Sequence, residues 1–386
     1  MNQLARATDF SAWTGRVEDD ALLRGQGRYG DDVKPEGALA AHFVRSPHAF
    51  AKIERIDTTA AKSAKGVVAV LTAADLEAAH YHSISHPHPI PGRGGQKPVS
   101  PHRPVLAGER VMHVGEPMVM VIATSAALAQ DAADQIVVDY EQLDAVTDAR
   151  DAIKPGAPQL WPDAPANIGF DWTAPADADG KKQAVLARAF KDAAHVVKVE
   201  LVNQRLVVAS LEPRTASASY DAASGKFTLR CATQGFASVR AQVAGAMNIK
   251  PEELRIVTED LGGAFGMKGW CYPEYITMLH AARELKRPIH WVSTRSEAFV
   301  TDNQGRDSFW TAELALNKRG RFLGLKVDCI GNMGAYFTGV AHFCVTTHVS
   351  GCLPTVYDVP VAQLNSRCVF TNTLPTGPYR GAGRPE

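Results

Sequence analysis

Asp260-Leu261-Gly262-Gly263-Ala264-Phe265-Gly266-Met267-Lys268 follows the short apolar stretch Leu254 to Val257 and sets three glycines within five residues. Clustered glycines let backbone N–H groups come close to a ligand; the same composition also suits a tight structural turn. The segment lacks the Gly-Lys-Ser/Thr ending of a Walker phosphate loop, so that reading is rejected. Two further glycine-marked segments flank it. Ala232-Thr233-Gln234-Gly235 closes the alternating stretch Lys226 to Ala232. A polar amide there either faces a site or merely ends a strand. Gly377-Pro378-Tyr379-Arg380-Gly381-Ala382-Gly383-Arg384 holds two arginines among three glycines. That pattern suits anion recognition and equally an arginine-bearing turn with no ligand.

Outward from these segments the pattern is mixed. The spacing predicts helices over 182–194, 238–247 and 273–285, the last with Pro273 in its first turn. Strands are predicted over 195–208, 226–232 and 254–257, and 310–316 and 322–330 flank the turn Asn317-Lys318-Arg319-Gly320. Nearer the N-terminus, 37–45, 66–72 and 114–124 are apolar runs of strand length. Ser125 caps a helix to about 135, and Ile136-Val137-Val138 starts another strand. This strand–helix–strand alternation places the chain in the α+β class. Five prolines between 148 and 180 predict an extended, poorly packed linker. The expected organisation is a tail over 1–15, a first domain over 16–147, a linker over 148–180 and a second domain over 181–386.

The chain has 386 residues, 45% hydrophobic and 21% charged, with 41 basic and 41 acidic side chains. A balanced charge gives no footprint for nucleic acid or an anionic membrane. No apolar run is long enough to span a bilayer, and the N-terminus lacks a signal-like apolar region, so a cytoplasmic location is expected. The six cysteines form no C-x-x-C pair. They read as buried or half-buried thiols, and any iron–sulfur cluster is expected on another chain. Gly25-Gln-Gly27-Arg-Tyr-Gly30 fits G-x-G-x-x-G, but charged residues precede it and Asp31-Asp32 would face the phosphates, so a dinucleotide site is set aside. His80, His82, His86, His88 and His102 crowd a Pro/Gly-rich loop without interleaved thiols or carboxylates, and read as solvated.

The order of these segments resembles the large subunits of the xanthine oxidase family of molybdenum hydroxylases, which includes aldehyde oxidoreductases and carbon monoxide dehydrogenases. Gly25-Gln-Gly27-Arg-Tyr29 with Asp31-Asp32, Arg45-Ser-Pro-His48 and Val114-Gly-Glu-Pro117 resemble the family's hammerhead-type α/β domain. Leu211-Glu-Pro-Arg214, Thr233-Gln234, Gly262 to Lys268 and Tyr379 to Glu386 resemble its first molybdopterin-binding domain. The implied fold is therefore a hammerhead-type domain followed by an incomplete molybdopterin-binding α+β domain.

The resemblance implies molybdenum held through a pterin dithiolene, with no direct protein ligand, and the cytosine dinucleotide form of the cofactor. It implies hydroxylation of an electron-poor carbon with water-derived oxygen, and electrons passed to [2Fe–2S] clusters on a small subunit and FAD on a medium subunit. Gln234 matches a glutamine that hydrogen-bonds an oxygen ligand of the metal, a task suited to a donor that does not titrate. Gly262, Gly263, Ala264, Phe265 and Gly266 match the loop that approaches the cofactor, with Phe265 walling the substrate pocket. Arg380 matches an arginine beside the substrate, next to Gly381. Gln234, Phe265 and Arg380 are thus the expected catalytic residues.

Three departures qualify the match. Carbon monoxide oxidisers carry a copper-holding cysteine where this chain has Gly381, and animal purine hydroxylases carry a Glu where it has Gly269. An aldehyde or N-heterocycle is the expected substrate. The family's large subunit is also about twice as long, and its catalytic Glu lies in the second half. The chain is therefore expected to be an N-terminal half, inactive alone, whose exposed core surface packs against the other half. A non-catalytic assembly chain is the rival reading.

Overall fold

The computed structural model describes residues 15–85, 87–176 and 180–385. Most of the expected tail, part of the expected linker, His86 and Glu386 lie outside the described residues. Among the described residues, fifteen strands form three sheets. They are β1 (Leu39–Arg45), β2 (Ala51–Asp57), β3 (Val67–Leu71), β4 (Arg110–Val111), β5 (Pro117–Ala123), β6 (Val137–Gln142), β7 (Ile168–Ala174), β8 (His195–Asn203), β9 (Thr215–Asp221), β10 (Lys226–Cys231), β11 (Leu254–Val257), β12 (Ile289–Val292), β13 (Ser308–Leu316), β14 (Phe322–Gly334) and β15 (Ala362–Phe370).

A seven-stranded sheet runs β11-β10-β9-β12-β1-β5-β3, a five-stranded sheet runs β7-β15-β14-β13-β8, and a small sheet runs β4-β2-β6. β5 is buried along its whole length between β1 and β3. Its run Met-Val-Met-Val-Ile-Ala has no polar face because both faces of that strand are covered. The helix Ala126–Ala133 follows, and its N-terminus is held as expected, with Ser125 Oγ accepting from the Leu128 N–H at 3.3 Å. The helix Pro273–Leu285 packs its buried side against β9 and β12, so Tyr275, Ile276, Met278 and Leu279 join the core of the large sheet.

The structure corrects the expected poorly packed linker over 148–180. Ala149, Ala152, Leu160, Ala164, Phe170 and Trp172 are buried in the core of the five-stranded sheet, and β7 forms one edge of that sheet. The prolines shape turns that lay the chain onto this core, and the apolar residues between them decide the packing. The two expected domains also share one sheet: Leu39 and Ala40 of β1 pair with Ile289 and His290 of β12.

Buried charge reinforces this junction. The Arg214 guanidinium, fully buried, bonds Asp302 at 2.6 Å and Glu274 at 3.0 and 3.2 Å, and lies 3.8 Å from the Tyr272 ring centroid. Arg45 of β1 reaches the same Glu274 at 2.8 Å. Burial alone would raise the Glu274 carboxyl; Arg214 and Arg45 outweigh it and hold the group well below its usual range.

Candidate active site

β10 and β11 are adjacent and parallel, with Phe227 opposite Leu254 and Arg230 opposite Val257. The helix Phe236–Met247 forms the crossover between them. Parallel pairing forces the segments that leave both strands to emerge at the same end of the sheet. Gln234 lies on the first and the Gly262–Lys268 loop on the second. After β15, the segment 377–385 closes against them, and the Arg380 N–H donates to the Phe265 carbonyl at 3.0 Å.

The three segments enclose a cleft of about 460 Å³, lined among others by Gln234, Phe265, Gly266, Trp270, Arg380 and Gly381. The Gly266 N–H donates to Gln234 Oε1 at 2.7 Å. A backbone N–H can only donate, so the acceptor must be the amide oxygen and the flip of the side chain is settled. The Gln234 amide nitrogen is left with two donors and no partner among the described residues. Phe265 stands 42% exposed with φ +49°, and the Arg380 guanidinium lies 5.8 Å from its ring centroid. Gly266 has φ +102°, and a Cβ there would collide with the Pro378 carbonyl. Only glycine permits this approach of the two loops.

Of the expected site residues, the structure brings Gln234, Phe265, Gly266, Arg380 and Gly381 to the cleft wall. Gly262, Gly263 and Ala264 lie behind it. Gly262 packs on the Glu212 turn, Gly263 lies against Ser210 and Phe265, and Ala264 is buried.

Sequence reasoning missed the support beneath the loop. Glu212 accepts from the Gly262 N–H at 2.9 Å, the Gly30 N–H at 3.0 Å and Lys268 Nζ at 3.1 Å. Lys268 also donates to the Glu212 carbonyl at 2.6 Å. Burial lowers the Lys268 ammonium against the pull of Glu212. The rejected dinucleotide segment thus serves as a strap: Gly30 bonds Glu212, and the Arg28 N–H bonds Asp260 at 2.7 Å. Trp270 was also missed. It stands two residues past Lys268, its indole N–H donates to the Gly266 carbonyl at 2.9 Å, and it packs against Gly339. Val340, which also lines the cleft, carries no signal in its local sequence.

A second, larger cleft of about 660 Å³ includes His80, His82, His102, Trp161 and Tyr336 in its lining. Among the described residues, no group of three or more His, Cys, Asp or Glu side chains is placed to hold a metal ion, and no helix is long and apolar enough to cross a membrane.

Comparison with known proteins identifies the family. Residues 162–386 match the molybdopterin cofactor-binding domain, and residues 24–144 match the a/b hammerhead domain of aldehyde oxidase and xanthine dehydrogenase. The nicotine 6-hydroxylase large subunit of Paenarthrobacter nicotinovorans is 33% identical over 95% of this chain and 44% of its own length. The carbon monoxide dehydrogenase large chain of Hydrogenophaga pseudoflava is 32% identical over 93% of this chain and 44% of its own. Quinoline 2-oxidoreductase from Pseudomonas putida 86 superposes with a TM-score of 0.85, 32% identity and coverage of 95% of this chain and 45% of that one. The chain therefore spans less than half the length of these relatives. The nicotinate dehydrogenase large molybdopterin subunit of Eubacterium barkeri, 26% identical, is matched over 81% of its length.

Proposed function

This chain belongs to the molybdopterin cofactor-binding domain family, and we propose that it forms one wall of the active site of a molybdenum hydroxylase acting on an aldehyde or N-heterocycle. The single observation that carries this reading is the Gln234 amide, its oxygen fixed by the Gly266 N–H at 2.7 Å and its two N–H donors left for a group in the cleft. An unpaired donor pair in a preorganised frame is what an oxygen-rich, electron-accepting cofactor would use. The donor set therefore fits the group, and among the described residues no His, Cys or carboxylate cluster competes for the metal.

When bound, the molybdenum–pterin group, in its cytosine dinucleotide form, supplies oxidation of an electron-poor carbon with water-derived oxygen. The chain's own residues then have separate tasks. Gln234 would hold the bound group through its free amide N–H donors, without changing charge. Phe265 presents an apolar face that orients a flat substrate and excludes water. Arg380, stacked toward Phe265, supplies fixed positive charge where the substrate accumulates negative charge. Gly262, Gly263, Ala264 and Gly266 shape the loop, and Gly381 keeps the opposite wall thin. The remaining cofactor contacts and the general base come from polypeptide equivalent to the unmatched part of the longer relatives. FAD on a medium subunit and [2Fe–2S] clusters on a small subunit carry electrons away in a cytoplasmic assembly.

Position 381 supports excluding carbon monoxide. It is a glycine at φ +97°, and a Cβ there would approach Pro385 Cγ at 2.6 Å. Gly381→Cys alone is expected to create no carbon monoxide oxidation, because a copper site also needs its surrounding shell; carbon monoxide turnover by the unaltered assembly would remove the exclusion.

The test is molybdenum content and turnover of the complete assembly with Gln234→Ala. Turnover is expected to fall about 100-fold to 1,000-fold with molybdenum retained. Unchanged turnover removes Gln234 from the site. A molybdenum-free assembly from cells that make the cofactor overturns the reading and leaves a non-catalytic assembly chain.

A further inference from the structure

The two edges of the five-stranded sheet are treated in opposite ways. At β7 the chain covers its own edge. The Val99 N–H donates to the Gly169 carbonyl at 2.8 Å, the Asp171 N–H donates to Gln96 Oε1 at 3.0 Å, and Arg93 pairs with Asp171 at 3.2 Å. At β8 nothing comparable happens among the described residues. β8 pairs with β13 alone, in unbroken register from Asn203 opposite Ser308 to His195 opposite Leu316. Its sequence, His-Val-Val-Lys-Val-Glu-Leu-Val-Asn, holds no proline, and the unbroken register holds no bulge. These are devices by which open edges are usually blunted.

Side-chain alternation splits β8 between two faces, both exposed, of which one continues the core of the sheet. Val197, Val199 and Leu201 lie across from Leu314, Ala312 and Trp310, which in turn lie across from Leu325, Val327 and Cys329. Trp310, Val327 and Cys329 are buried in the core of this sheet, with Ala312 and Leu325 packed against it. Val197, Val199 and Leu201 extend the same face, yet they are 52%, 44% and 59% exposed. The opposite face of β8 carries Val196 and Val202, also exposed, around Lys198 and Glu200, which pair with each other at 2.7 Å; that face does not continue the buried core. The core face thus runs on one strand beyond its cover.

We infer that β8 is a docking edge for the polypeptide equivalent to the unmatched part of the longer relatives, which adds a strand beside β8 and lays apolar side chains over Val197, Val199 and Leu201. The length relation selects this occupant: the chain covers only 44% of the nicotine 6-hydroxylase large subunit and 45% of quinoline 2-oxidoreductase. The Eubacterium relative, matched over 81% of its length, shows that an equivalent stretch can also make up most of a shorter chain. The interface is the same whether the occupant is covalently continuous or separate. Main-chain bonds to the edge supply affinity, and the apolar stripe fixes register. The inference rests on the reading proposed above for the family's assembly.

The test uses the complete assembly isolated from its source cells, with a photoreactive side chain replacing Val199. Cross-links are expected on the polypeptide equivalent to the unmatched part. Hydrogen exchange of the β8 amides is expected to be about 100-fold slower in that assembly than in this chain alone. Val199→Lys with Leu201→Lys alters only exposed side chains. It is expected to keep the chain's circular dichroism and melting temperature while cutting recovery of the co-purifying polypeptide or, in a continuous chain, abolishing the β8 protection. Cross-links to a flavin or iron–sulfur subunit, or to a second copy of this chain, overturn the assignment, as does equally fast β8 exchange in both preparations. Molybdenum content of the same samples separates the two readings. Metal present with β8 open sinks the docking edge alone; metal absent with β8 protected sinks the hydroxylase alone.

Discussion

Beneath the Gly262–Lys268 loop and above it lie two polar clusters that end their hydrogen bonds differently. Below, Arg214, Glu274, Asp302 and Thr301 satisfy one another in a fully buried group, and Tyr272, under the Arg214 guanidinium, passes the connection on by donating to the Met267 carbonyl at 3.1 Å. Above, Gln234 gives only its oxygen to the protein, and Arg380, exposed, lines the open cleft. The lower cluster has its polarity closed inside the fold; the upper one keeps donors open. Closed polarity holds a frame in one arrangement, whereas open polarity on that frame is what a ligand can use.

Substitutions that break or sharpen this contrast fall in a definite order. Arg214→Met strands Asp302 as an uncompensated buried charge and leaves Glu274 with Arg45 alone, and should cost about 3–5 kcal/mol, read from the denaturant midpoint of the chain. A cost under about 1 kcal/mol would mean the lower cluster is no more than a surface-grade ion pair. Its two carboxylates answer acid in opposite senses. The Glu274 carboxyl is depressed, so its contribution is present above the ordinary 4.5 and is lost as pH falls below it; burial raises Asp302, which offsets part of that loss.

His113 adds an acid effect at higher pH. It is buried, its Nδ1 bonds the Val114 carbonyl at 2.8 Å, and its Nε2 has no partner among the described residues. Burial, aided by Arg103, holds it at about 3 against 6.5 in the free side chain. Unfolded chain therefore takes up a proton below pH 6.5 that the folded chain refuses. Stability falls from pH 6.5 downward, by about 3 kcal/mol at pH 4, and His342, held at about 4, adds in the same direction. Urea midpoints between pH 7 and 4 should slope less steeply for His113→Gln; an unchanged slope would place the acid sensitivity elsewhere.

Lys268→Met sits between the two clusters. It removes two hydrogen bonds to Glu212 and should cost about 1–3 kcal/mol, with faster hydrogen exchange over 262–268 while β5 stays protected. Uniformly faster exchange would show that the loop is not a separate unit. Gln234→Ala is the smallest perturbation of stability, within about 0.5 kcal/mol, because the side chain is exposed and gives up one bond. A large loss of stability there would move Gln234 from the open cluster to the closed one.

Much of the fold was legible locally. The β5 run, the Ser125 cap and the Pro273 helix start are decided by neighbouring residues, and each lies where the pattern placed it. β9 was not legible. Its Thr-Ala-Ser-Ala-Ser-Tyr-Asp carries little apolar signal, and it is a strand because β10 and β12 pair with it on both sides. β7 was hidden for a different reason: its alternating Ile168, Phe170 and Trp172 lie within a proline-rich stretch, and only pairing with β15 makes them an edge strand. At the site, the glycine loop, Gln234 and the arginine segment could be picked out by residue type. Glu212 could not, because its three donors come from residues 30, 262 and 268, and no local window contains them together.

By itself the sequence determined which residues bear the chemistry and the kind of chemistry: an amide that does not titrate, glycines that accept positive φ, and an arginine beside an aromatic ring, all properties of single side chains and short backbone runs. Tertiary structure alone decided that these segments face one cleft, which way the Gln234 amide points, and that one sheet edge is sealed while the other stays open. Those outcomes depend on pairings between residues tens to hundreds of positions apart, whose energies exist only once the chain has closed on itself.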